Sequence, residues 1–223
     1  MDHRVQAHPR RRMLRPLAAL LTTMALFLVP WVDSASAHGS VINPASRVYG
    51  CYQRWGNDHL NPNMRTQDPM CYQAWQANAN AMWNWNGLYR NGVGGNHQAA
   101  VPNGQLCSGG HAEGGRYNAM DAVGDWKTTT ISSNFTIQLY DQASHGADYF
   151  RVYITKPGFN PVTSALTWND MQLVTTTGRY GQSQNYSINV NAGSRSGRAV
   201  VYTIWQASHM DQAYYICSDV VFS

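Results

Sequence analysis

From Thr128 onward the chain alternates apolar and polar residues with a period of two, and that alternation constrains the fold more than anything else in it. Phe135, Ile137 and Leu139 interleave with Thr136, Gln138 and Tyr140, and Phe150, Val152 and Ile154 with Arg151, Tyr153 and Thr155. Successive strand side chains point to opposite faces of a sheet, so each run describes a strand with one buried face. Residues 186–190, 199–205 and 214–222 add further β-type runs, separated by Gly and Pro turns. Several short strands with turns between them imply an all-β protein, an antiparallel β-sandwich of the immunoglobulin or fibronectin-III type.

The earlier part reads differently. Residues 38–125 are rich in Asn, Gly, Trp and Tyr and show few apolar alternations. The strongest helical segment is 71–85, with Trp75, Met82 and Trp83 among its apolar positions and no internal proline. Turn-formers surround it, at 91–96 and at Gly109-Gly110. The expectation is a long loop-and-short-helix insertion near the N-terminus, decorating one end or edge of the sandwich. A loop region this long inside a compact domain is usually functional.

The first residues are a processing signal. Arg10, Arg11, Arg12 and Arg15 precede an apolar run over 17–29, and Ala35-Ser36-Ala37 follows as a small-x-small cleavage site. That order describes a secretory signal peptide over 1–37, leaving a single domain over 38–223. The run lies between Pro16 and Pro30 and falls short of the about 20 apolar residues that span a bilayer. A secreted, extracellular monomer with no membrane partner is expected. The leader holds five arginines and two aspartates, so the net charge of +4 falls to +1 without it. A nearly neutral domain without a basic stripe gives no electrostatic case for nucleic acid. The four cysteines all follow the leader, and an even count in an exported chain argues for two disulfides. Three connectivities are open; Cys51–Cys71 with Cys107–Cys217 is favoured, because the first two flank one loop-rich segment.

Cutting after Ala37 would give His38 a free α-amine beside its imidazole, a chelate no internal histidine can offer. His145 lies in 141–150, in the turn between two expected strands, where a sandwich would carry a site. The amine and two ring nitrogens from His38 and His145 would make a T-shaped, open set that suits Cu(II). His59, His97 and His111 fall in polar loops and read as ordinary surface or hydrogen-bonded residues. His209 precedes the final strand, with structural and substrate-contact readings both open.

The start His38-Gly39-Ser40-Val41-Ile42-x-Pro44-x-Ser46-Arg47 resembles the processed start of bacterial lytic polysaccharide monooxygenases of auxiliary activity family 10. Gln142-Ala143-Ser144-His145, Tyr153-Ile154-Thr155-Lys156-Pro157 and Ala213-Tyr214-Tyr215-Ile216-Cys217-Ser218-Asp219-Val220 carry the same resemblance across the whole domain. The segments 80–89 and 104–110 are most similar to the single-domain actinobacterial branch that cuts cellulose at both C1 and C4. The resemblance implies a histidine brace at His38 and His145 around one copper ion. It places the axial aromatic at Tyr214, where many members have Phe, so that a hydroxyl here stands near the axial side of the metal. Ala143 matches the small residue crowding the other axial position. Gln212 matches a carboxylate or amide that could hydrogen-bond an oxygen species, here in the amide form that cannot act as an acid. Asn80 and Trp83 are the residues expected to shape or line a flat face for crystalline polysaccharide, cellulose first and chitin second. An external electron donor, with hydrogen peroxide or dioxygen as co-substrate, completes the implied oxidative cleavage.

Other chemistries fit poorly. A glycoside hydrolase needs paired carboxylates, and beyond the leader the chain has one glutamate, Glu113, and no evident pair. No G-x-S-x-G elbow, H-E-x-x-H motif or phosphate loop is present. A non-catalytic carbohydrate-binding domain would share the aromatic richness and the strands, and a copper carrier would share the brace. Only the copper-based readings need His38 as the first residue.

Overall fold

The computed structural model describes Met1 and residues 38–223, so the leader expected over 1–37 lies, Met1 apart, outside the described residues. Two sheets face each other across an apolar interior. The smaller is antiparallel, with strands β1 (Gly39–Asn43), β4 (Asn134–Asp141) and β7 (Asn185–Asn191) in the order β1-β4-β7. The larger runs β2 (Tyr89–Asn91), β9 (Gln212–Phe222), β8 (Gly197–Ala207), β5 (Ala147–Thr155) and β6 (Met171–Thr176) in that order. A sixth strand, β3 (Thr129–Ile131), joins it parallel to β9, a departure from a wholly antiparallel sandwich.

The interior follows from the alternation. Val41, Ile137, Leu139, Ile188 and Val190 of the small sheet pack onto Phe150, Val152, Ile154, Val201 and Trp205 of the large one. Fully burying a large apolar side chain contributes about 1.5–3 kcal/mol, so this layer is the main local reason the sheets associate. The outward positions of β4 and β7 are amides and hydroxyls, with Thr136 Oγ1 donating to Asn189 (2.9 Å) across the strands.

The long insertion does not decorate an end or edge. It covers the other face of the large sheet and builds a second core there. Val200, Tyr202, Ile204, Ala213, Tyr215 and Cys217 on that face pack with Val48, Trp55, Trp75, Met82 and Leu106. Two helices carry most of the insertion's contribution, α1 (Arg47–Trp55) and, after the single-turn α2 (Met64–Gln67), α3 (Pro69–Trp83). Ser46 caps α1, its Oγ accepting from the Tyr49 N–H at 3.2 Å. Asp68 caps α3, and Pro69 sits at its first position, where the missing N–H costs nothing. These two residues start the helix at 69 rather than 71. Non-helical backbone at Asn78 breaks it, and it ends at Trp83 rather than at 85.

Long-range pairs fasten the insertion to the sheet. The disulfides are Cys51–Cys71, joining α1 to α3, and Cys107–Cys217, joining a loop to β9. Arg47 donates from Nε to Asp219 (2.7 Å) and from Nη1 to the Met120 carbonyl (2.6 Å), so a buried charge is paired and satisfied. His97 opens the short helix α4 (His97–Ala100) and is a buried residue, not one of a solvated loop. Its ring nitrogens meet the hydroxyls of Tyr215 (3.0 Å) and Tyr149 (2.7 Å). No described helix is long and apolar enough to cross a membrane.

Candidate metal centre

The β1–β4 pairing puts Gly39 opposite Asp141, and the Gln142 N–H donates to the His38 carbonyl at 2.8 Å. His38 is thereby fixed at the start of β1, beside the turn that leaves β4. Glycine at 39 has a steric cause. A Cβ there would lie 2.6 Å from the Trp205 ring and 2.8 Å from the Tyr140 carbonyl oxygen.

The turn after β4 presents His145. Ser144 (φ 58°) and Gly146 (φ 78°) both take left-handed backbone, which reverses the chain within a few residues. Asp141 organises the turn. Its Oδ1 accepts from the Ala143 N–H (3.1 Å) and its Oδ2 from the His145 N–H. Gly146 donates to the Tyr186 hydroxyl (3.0 Å) and accepts from Trp205 Nε1 (3.0 Å). The same carboxylate lies 3.0 Å from His145 Nδ1. A carboxylate can only accept, so Nδ1 carries the proton and Nε2 keeps its lone pair, the arrangement of a carboxylate-oriented metal ligand. Both histidines therefore hang on the Asp141 position, one through the strand pair and the other through the side chain.

Tyr214 comes from β9 and is fully buried, its ring stacked on Trp205 with centroids 4.3 Å apart. Its hydroxyl donates to Gln212 Oε1 (3.1 Å), and Gln212 Nε2 donates to Asn91 Oδ1 (3.0 Å) on β2. Burial, with the Asp141 charge adding to it, pushes the phenol well above its ordinary range.

An open surface depression beside His38 is lined by Trp83, Trp85, Asn86, Gln142 and Ala143 among others. Trp83 is half-exposed and held edge-on by Trp75 (5.0 Å) and His59 (5.2 Å). Asn80 is exposed on α3 and its carbonyl accepts from the Asn84 N–H (3.0 Å), but it does not line the depression. His38, Ala143 and Trp83 thus share one surface, while Tyr214 and Gln212 lie buried.

Two contacts went unread in the sequence. Asp141 stands four residues before His145, a spacing that across a Ser-His-Gly turn signals a carboxylate reaching back to orient the ring. The His209 ring lies against that of His145, tilted by 41° with centroids 4.0 Å apart, a contact between two loops that no local pattern announces.

The donor set limits what the centre can hold. Among the described residues no three His, Cys, Asp or Glu side chains converge as metal ligands. A metal at the two histidines needs a third donor, and an α-amine on His38 is the one that processing after Ala37 would create. Nitrogen donors alone suit copper better than the hard cations, which want oxygen.

The profile of a family described as lytic polysaccharide mono-oxygenase, cellulose-degrading, matches residues 38–220. The solved T. fusca AA10A structure is 69% identical and superposes with a TM-score of 0.83, over 83% of this chain and all of that one. The cellulose-active monooxygenase CelS2, solved in complex with copper, is 31% identical with a TM-score of 0.68, over 83% of this chain and 99% of that one. A chitin-binding protein of Pseudomonas aeruginosa is 37% identical over 216 residues, covering 93% of this chain and 52% of that protein. The chain spans about half the length of that curated relative.

Proposed function

Because this chain belongs to the lytic polysaccharide monooxygenase family, whose members are copper-dependent, we propose that it is a secreted enzyme cleaving crystalline cellulose oxidatively at C1 and C4, with chitin as a second substrate. The observation that carries this reading is the Asp141 turn. The Asp141 carboxylate fixes His145 Nδ1, and the Asp141 backbone pairs with Gly39, next to His38. In the processed chain over 38–223, the His38 amine, the His38 ring and His145 Nε2 would hold copper. Bound copper would supply one-electron redox chemistry, fed by an external donor and spent on hydrogen peroxide or dioxygen.

The protein's own residues do the rest. Asp141 keeps the His145 ring in one tautomer and one orientation. Tyr214 and its Trp205 support would close the buried side of the centre, with the phenol hydrogen-bonded to Gln212. Ala143 leaves the outer side low. Trp83, with Asn80 further along α3, gives the surrounding surface an aromatic and amide character fitted to sugar rings. A carbohydrate-binding domain without catalysis would keep that surface and have no use for the Asp141–His145 pair.

Mass spectrometry of products released from cellulose with a reductant tests the reading. Aldonic acids and 4-keto sugars are expected, and His145→Ala should abolish both while the circular dichroism spectrum is unchanged. Oxidised products from His145→Ala at saturating copper would remove that residue from the centre.

A further inference from the structure

The large sheet carries a basic recess at the end opposite His145. Strand β5 runs from Ala147, two residues after His145, to Thr155 at the recess, and eight strand steps span about 26 Å. The recess encloses about 140 Å³ between Lys156 and Gly158, which follow β5, and Ser194, Arg195, Ser196 and Arg198, where β8 begins. It shares no lining residue with the depression beside His38.

Its three cations meet one carboxylate. Arg198 is paired with Asp125 at 2.6 Å. Arg195 donates from Nε to the Thr155 carbonyl (3.3 Å), from Nη1 to the Ala192 carbonyl and from Nη2 to Gln172 Oε1 (2.6 Å), all neutral oxygens. Lys156 Nζ donates to the Asn169 carbonyl at 2.6 Å. Neither Arg195 nor Lys156 has a carboxylate partner among the described residues. Burial lowers the Arg195 pKa from its ordinary value, and no acidic group opposes the shift. Bracing the loop at 192–196 needs the donors but not the charges. A guanidinium has five N–H donors and an ammonium three, so each of these side chains keeps two for a ligand. The neutral contacts hold Arg195 in place without cancelling its charge, which preorganises it for an anion. Ser194 and Ser196 add two hydroxyls with no partner among the described residues.

A lone phosphate would occupy the cations and leave both serines idle, whereas a sugar acid uses both sets. We propose that this recess binds the carboxylate end of an aldonic acid, the group that C1 cleavage leaves on a cut cellulose chain. The inference rests on the cellulose reading above. The carboxylate accepts from Arg195 and Lys156, and the sugar hydroxyls next to it meet Ser194 and Ser196. An oxidised chain end held there keeps the proposed copper centre, about 26 Å away along β5, close to a previous cut.

Amide NMR of the processed protein, with and without copper, titrated with cellobionate, is the first test. Saturable shifts at Lys156, Gly158 and residues 194–199 are expected. Cellobiose, and chloride at matched ionic strength, should leave those amides unmoved. Lys156→Gln, at an exposed position, should weaken cellobionate binding about tenfold, the loss of one charge-assisted hydrogen bond. Arg195→Gln should weaken it at least as much, and Lys156→Arg should restore it. On untreated cellulose Lys156→Gln should keep the initial rate of product release. On cellulose already oxidised at C1, the unaltered enzyme should be retained about tenfold more tightly than the variant. The proposal fails if cellobionate moves none of these amides or if Lys156→Gln keeps full affinity. It fails equally if phosphate binds here more tightly than cellobionate, or if glucuronate binds and cellobionate does not. Absence of oxidised products from the unaltered enzyme would sink the cellulose-cleaving reading instead, and would leave the cellobionate shifts intact.

Discussion

Tyr214 and Tyr215 are chain neighbours that point to opposite faces of β9, so they sample the molecule's two cores side by side. Tyr214 lies in the sandwich interior, where alternating strands supply the packing and the proposed copper centre closes one end. Tyr215 lies under the insertion, where the Cys107–Cys217 disulfide, the Arg47–Asp219 pair and the His97–Tyr215 hydrogen bond tie distant segments to the sheet. Local patterning specifies the first core and long-range pairs specify the second. Damage to those pairs should therefore register in stability, and damage beside Tyr214 in the metal.

The largest test is on the insertion side. Replacing Cys107 and Cys217 with Ser opens a link across 110 residues, for which loop entropy gives about 4.7 kcal/mol. The Cys51–Cys71 link spans 20 residues and should cost about 3 kcal/mol when removed. Urea unfolding of the two Ser double variants measures both, and a reversed order would mean that the second core is specified locally after all.

Next comes acid. Burial first, and then the nearby Arg151 charge, lowers the His97 pKa to about 4, with Asp211 opposing. The unfolded chain takes up this proton near pH 6.5 and the folded one resists it. Stability is therefore whole above about pH 6.5, falls by about 1.4 kcal/mol per pH unit below that, and levels off near the folded value. His97→Gln should remove that slope from unfolding curves taken at pH 7, 5.5 and 4.

The adjacent tyrosines give the finest comparison. Tyr215→Phe leaves a buried His97 nitrogen unpaired and should cost about 1–3 kcal/mol, with the Cu(II) EPR spectrum unchanged. Tyr214→Phe removes a hydroxyl whose partner Gln212 still holds Asn91. It leaves the buried Gln212 Oε1 without its donor, so it should also cost about 1–3 kcal/mol, but it should keep both oxidation products and shift the EPR parameters. An EPR spectrum that shifts at Tyr215→Phe, or that stays unchanged at Tyr214→Phe, would erase the distinction between the cores.

The small sheet was legible in the sequence because one of its faces meets water, and β4 and β7 keep a polar residue at every second place. Strands β8 and β9 carry no such rhythm. They are buried almost throughout, since the sandwich takes one face and the insertion the other, so their continuous apolar runs gave strands but not the second layer. The insertion's position was readable only in part: the favoured Cys107–Cys217 pairing ties it to the last strand, while Arg47 reaches a partner, Asp219, 172 residues away. His97 is hydrogen-bonded, as one of its two readings had it, but its burial at the start of a helix was not visible because its two tyrosine partners come from different strands. At the proposed centre, short motifs point to His38, Ala143, His145 and Tyr214, and their roles there are part of the proposal. Asp141 was in view and given no role, and the His145–His209 contact depends on two loops meeting.

The central claim is that the His38 α-amine is a copper ligand. The most direct measurement is calorimetric copper binding to the chain beginning at His38 and to one beginning at Ala37, which converts that amine into an amide. The account predicts tight one-to-one binding for the first, weakening as pH falls through the amine and imidazole range. For the second it predicts a loss of at least a hundredfold, with no oxidised sugars. Equal affinity in the two chains would contradict it.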